Sequence, residues 1–157
     1  MTDISEYIRT IRAEYDAHHT DLWQHDYFNS INGGYLLIDK QRIKQGNVSK
    51  QEKGKYKKEY DMCLNLAQNG HKIKLLNLAF GFDIFLDDIS ADLKKTAGSG
   101  NIVKYAKKAI NKQGAYLVVF EFDKESSNIY SQIKRLSLMG IRGKYYFTGK
   151  KNSIHDF

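Results

Sequence analysis

Two short apolar-rich runs, 82–86 and 89–94, flank Asp87-Asp88, a pairing that predicts a hairpin with a two-residue turn. That turn sets Leu86 opposite Ile89, Phe85 opposite Ser90, Ile84 opposite Ala91 and Asp83 opposite Asp92. With side chains alternating along a strand, one face carries Phe82, Ile84, Leu86, Ile89, Ala91 and Leu93 and reads as core. The other carries Asp83, Ser90, Asp92 and Lys94, with Phe85 among them.

Helical spacing recurs elsewhere. Ile4, Tyr7, Ile8, Ile11 and Tyr15 predict a helix over residues 3–29, continuing through His18-His19 and Trp23 to Tyr27-Phe28. A turn at Asn32-Gly33-Gly34 precedes a strand at 35–39, and the polar residues 40–50 read as an exposed loop. From Gln51 to Asn69 a stripe of Tyr56, Tyr60, Cys63, Leu64 and Ala67 marks a helix, stopped by Asn69-Gly70. A strand at 71–76 leads to the hairpin. Beyond the polar loop 95–101, a helix over 102–111 takes Asn101 or Ser99 as its N-cap. The continuous apolar run 115–120 reads as a strand covered on both faces, so 89–95, 102–111 and 115–122 form a βαβ crossover with parallel strands. A helix over 125–138, a strand over 141–148 and a frayed tail from Gly149 complete the chain.

Two carboxylates directly across a strand pair repel each other, and a structural sheet tends to avoid them. A divalent cation removes the conflict, because it takes several oxygen ligands. Lys94, two residues past Asp92 on the same face, then stands where an ammonium can hold a water or a developing phosphate charge. Glu59, at the edge of its helix stripe, is a candidate third acid for the same site or an exposed partner of Lys55 or Lys58. His18, His19 and His25 lack the carboxylate or cysteine arrangement of a metal cluster and read as surface or capping residues.

The net charge of +7 is uneven: residues 95–157 hold 12 Lys/Arg against 4 Asp/Glu, and residues 1–94 hold 13 against 14. Basic charge beside a metal site suits a polyanion such as nucleic acid. Lys95, Lys104 and Lys108 are candidate backbone clamps. Ser99 and Asn101 lie in a small-residue loop at a helix N-terminus, either a phosphate cradle or an ordinary strand-to-helix connection. One cysteine, Cys63, excludes an internal disulfide framework. No apolar run approaches the length of a membrane span, and the first fifteen residues lack the apolar core of a secretory signal, so the expected site of action is cytoplasmic.

Asp83, eight residues, then Asp92-Leu93-Lys94 resembles the PD-(D/E)xK nuclease motif, with Phe82 where the motif has Pro. The helix, strand, strand, strand, helix, strand order from residue 51 is similar to that family's αβββαβ core. The resemblance implies an α/β fold with a mixed, restriction-endonuclease-like sheet flanked by helices. It further implies Asp83, Asp92 and Glu59 as ligands of Mg2+ or Mn2+, with Zn2+ a further candidate, and Lys94 assisting phosphodiester hydrolysis. Residues 33–122 resemble, more narrowly, the C-terminal nuclease domains of contact-dependent growth inhibition toxins and related mobile-element proteins. Those domains cleave tRNA or DNA and are neutralised by an immunity protein. The expected organisation is a single compact domain overall, with a helical segment, 1–30, before a nuclease domain, 31–157. Implied partners are nucleic acid and an immunity protein, with no membrane and with delivery as part of an exported toxin. Two other readings compete: a non-catalytic nucleic-acid-binding module on a nuclease scaffold, and an interaction protein whose Tyr-rich C-terminal strand pairs with a partner's sheet.

Overall fold

The computed structural model describes residues 4–98 and 100–157. The chain divides into two compact units, Met1–Phe80 with Ile84–Asp88, and Gly81–Asp83 with Ile89–Phe157; the expected boundary at residue 30 falls inside the first. Eight strands and five helices among the described residues make a mixed α/β protein.

The first unit runs α1 (Ile4–Asp16), β1 (Trp23–Phe28), β2 (Tyr35–Asp39), α2 (Lys40–Gly46), α3 (Lys50–Gln68), β3 (Lys72–Leu75) and β4 (Ile84–Leu86). Its strands neighbour one another in chain order. β1 and β2 are antiparallel, β2 and β3 parallel, β3 and β4 antiparallel. Two expectations need correction here. The 1–30 segment is not helical throughout: α1 stops at Asp16, and Trp23–Phe28 pairs with Tyr35–Asp39 instead. Aromatics at helical spacing also suit a strand, and a row of main-chain partners on β2 decides for the strand. Residues 40–50 are not a loop, since Asp39 accepts a hydrogen bond from the Gln41 N–H and starts α2. Ile11 and Tyr15 of α1 bury against Tyr35 and Leu37. His18 and His25 bond through ring nitrogens to the Glu14 and Tyr15 carbonyls near the end of α1.

The turn after β4 has Asp87 at φ 49° and Asp88 at φ 69°. Two consecutive positive φ values define the I′ turn that a two-residue hairpin loop requires, and Asp tolerates this region better than most residues. Asp87 is further fixed by its carboxylate, which accepts from the Lys72 N–H at 2.8 Å and contacts His71 Nδ1 at 2.8 Å.

The second unit runs β5 (Ile89–Thr96), α4 (Ile102–Asn111), β6 (Leu117–Phe122), α5 (Ser127–Leu138), β7 (Arg142–Phe147) and β8 (Lys150–Asp156). β5, β6 and β7 are parallel and β8 is antiparallel to β7. The βαβ crossover forms as its apolar run implies. Val118, Phe120 and Phe122 of β6 bury with Ile102, Ala106 and Ala109 of α4 and Ile129, Ile133 and Leu136 of α5. The tail from Gly149 is not frayed but forms β8. Its side chains are largely exposed, so no apolar alternation announces an edge strand held by main-chain pairing. Together α3, β3, β4, β5, α4 and β6 follow in the expected αβββαβ order.

Gly143 lies where β7 meets β6, and a β-carbon there would stand 1.8 Å from the Val118 carbonyl oxygen. Gly143→Ala is therefore expected to destabilise the chain by about 3 kcal/mol, read as a lower urea midpoint. A midpoint equal to wild type would contradict this close approach.

Candidate active site

Asp92 and Lys94 occupy alternate positions of β5 and pair in register with Val118 and Phe120 of β6. They therefore share the face that α4 and α5 cover, and the polar face expected of the hairpin is roofed by the crossover helix. Asp92 is 0% exposed. Neither of its carboxylate oxygens has a hydrogen-bond partner among the described residues. Lys94 Nζ lies 2.8 Å from Asp92 Oδ2, an ion-pair contact rather than an aligned hydrogen bond. A buried carboxylate without hydrogen bonds is unfavourable, and one ammonium offsets this incompletely.

The chain also brings Asp83 to this point. Its N–H donates to the Ala91 carbonyl at 3.2 Å, and its Oδ2 accepts from the Leu93 N–H at 2.8 Å. Asp83 thus grips the residues on either side of Asp92, which fixes its carboxylate against the β5 main chain. Asp83 itself lies just before β4, and its carboxylate is taken up by the β5 main chain. Sequence reasoning missed Gln113, just beyond α4, whose Oε1 accepts from Lys94 Nζ at 3.2 Å. Gly81 lies against it: a β-carbon at Gly81 would stand 2.5 Å from the Gln113 carbonyl oxygen. Gln113-Gly114 reads in sequence as a helix stop, and no local signal marks its side chain as part of a site.

The remaining candidates are placed differently. Glu59, in the first unit, has both carboxylate oxygens 3.3 Å from Arg42 Nη2. Arg42 is fully buried beneath the Tyr56 ring, and an acid beside a buried guanidinium serves as its counter-charge. Among the described residues no group of three or more His, Cys, Asp and Glu side chains gathers as a metal site. Lys95 points to the opposite face from Lys94, with Nζ 3.3 Å from Glu121 Oε2. Lys104 and Lys108 are exposed, and with Val103, Lys107, Asn111 and Lys112 they line a groove of about 450 Å3 along α4. Asn101 holds the N-cap position of α4 without a side-chain cap bond, and Ser99 lies outside the described residues. The second unit carries 13 Lys/Arg against 6 Asp/Glu and the first 12 against 12, so the whole net charge resides on the unit with Asp92.

No protein family matches the chain, and no curated protein does. Among solved structures, the fold is similar to a chain of the CdiA-CT/CdiI toxin and immunity complex from Burkholderia pseudomallei. The TM-score is 0.54 at 14% identity, over 71% of this chain and 89% of that one, a likeness of fold.

Glu121 gives this unit a pH dependence. Burial alone would raise its pKa, but O–H donors from Tyr146 and Thr148, each at 2.8 Å, together with Lys95, hold the carboxyl below its ordinary 4.5. A pKa lowered on folding contributes stability that is complete above about pH 4.5 and is lost as pH falls through the folded value. Urea midpoints measured from pH 6 to pH 3 should fall more steeply for wild type than for Glu121→Gln. Parallel curves would refute the assignment.

Proposed function

We propose that the chain is a metal-dependent nuclease, a hydrolase of nucleic-acid phosphodiester bonds that acts as a toxin. The observation that carries this reading is the buried Asp92 carboxylate, without a hydrogen-bond partner among the described residues, with the Asp83 carboxylate held at the neighbouring Leu93 N–H. Two carboxylates form a hard oxygen donor set that fits Mg2+ or Mn2+, ions that bind through one or two carboxylates and otherwise keep water and phosphate oxygens. Among the described residues no His or Cys joins them in a group that would favour Zn2+. Bound there, the cation would lower the pKa of a coordinated water and polarise the scissile phosphate. Asp83 and Asp92 would hold it, and Lys94 would orient the attacking water or stabilise charge on the phosphoryl oxygens. Exposed Lys104 and Lys108 on α4 would grip the nucleic-acid backbone, adding salt-dependent affinity without sequence choice.

The likeness to a component of a toxin and immunity complex supports a toxin role, with export from a producing cell, action in a target cytoplasm and neutralisation by an immunity protein. No helix among the described residues is long and apolar enough to cross a membrane. The engagement of Glu59 by Arg42 favours a second reading, in which two carboxylates are too few and the unit binds nucleic acid without cutting it.

The test is incubation with tRNA and with supercoiled plasmid under Mg2+ or Mn2+, beside EDTA. Metal-dependent cleavage of either substrate, lowered about 100-fold or more by Asp92→Asn, is the expected outcome. Mn2+ should also raise the Tm of wild type and leave that of Asp92→Asn unchanged. Uncut substrates, with salt-sensitive binding that survives Asp92→Asn, would overturn the nuclease and install the binding module.

A further inference from the structure

We infer that Gln113 is a positioning residue for Lys94, an inference that rests on the nuclease reading and assigns it a further part. Lys94 is a long, flexible side chain whose ammonium has two acceptors among the described residues. One is Asp92 Oδ2 at 2.8 Å, and the other is Gln113 Oε1 at 3.2 Å. The two differ in kind. Asp92 is the carboxylate proposed to hold a cation, and a cation at its oxygens competes with the ammonium for them. Gln113 is neutral and stays available to Lys94 whatever happens at Asp92.

Charge explains why an amide suits this position. A carboxylate at 113 would also accept from Lys94, but it would cancel the ammonium's charge where negative charge develops on the phosphate. An amide fixes the ammonium's direction and leaves its charge intact. The placement of Gln113 is itself constrained. Its main chain lies so close to Gly81 that no side chain fits between them, and Gly81 stands two residues before Asp83. The segment carrying Asp83 and the loop carrying Gln113 are therefore set by one close contact. Lys94 is drawn between two acceptors whose positions do not depend on its own rotamer.

The experiment compares wild type, Gln113→Leu, which removes the acceptor at similar volume, and Gln113→Glu, which keeps an acceptor but adds charge. In the metal-loaded chain, Gln113→Leu is expected to lower kcat about 10- to 100-fold with KM nearly unchanged. In a Lys94→Met background the same change should have no further effect, because the residue it positions is gone. A second readout does not need activity: 13C relaxation of the Lys94 ε-methylene in the metal-bound chain. The methylene should be ordered in wild type and Gln113→Glu and mobile in Gln113→Leu. Wild-type order retained in Gln113→Leu, or kcat losses that multiply in the double variant, would overturn the inference. Failure of wild type to cut any substrate would instead overturn the nuclease reading, and the relaxation measurement would still decide the role of Gln113.

Discussion

Burying a carboxylate whose oxygens accept no hydrogen bond is a constraint that the rest of the second unit has to accommodate. Asp92 lies on β5 with apolar residues before and after it, and α4 packs on β5 because the β5–α4–β6 crossover places it there. An ordinary core position would hold Val or Ile. Retaining a carboxylate there sets a desolvation cost against a single ion pair with Lys94. An oxygen ligand is what a divalent cation requires, so the group that is costly to bury is the one that the proposed chemistry uses.

Around this carboxylate the supports are local and main-chain in character. Asp83 takes the Leu93 N–H with its side chain and gives its own N–H to Ala91, so its position is tied to β5 rather than to a rotamer. Gln113 is held by the close approach of Gly81. The buried Glu121 on the opposite face is satisfied by Tyr146, Thr148 and Lys95, which separates two acids of one unit by environment: one fully bonded, the other not. Excess positive charge sits on the same unit.

The order of elements from residue 50 to 122 was legible because each carries a period or a punctuating residue: a stripe ending at Asn69-Gly70, paired runs about Asp87-Asp88, an apolar run after Gly114. The turn at Asp87-Asp88 was legible for the same reason, since a two-residue loop calls for positive φ at both positions. Trp23–Phe28 misled because aromatics suit either state and the pairing strand decided. β8 was silent because an edge strand can be held by hydrogen bonds that any side chain permits.

By itself, the sequence determined what depends on neighbours in the chain: periodicity, turn chemistry, the spacing of two acids and a lysine, and the run of positive charge after residue 94. Tertiary structure alone decided what depends on distant segments. It committed Glu59 to Arg42, sent Lys95 to the face opposite Lys94, buried Asp92 under the crossover helices and brought Gln113 to Lys94. The physical reason is that hydrogen bonding and desolvation act through space, and which groups meet is set by packing of elements whose local patterns carry no record of their partners.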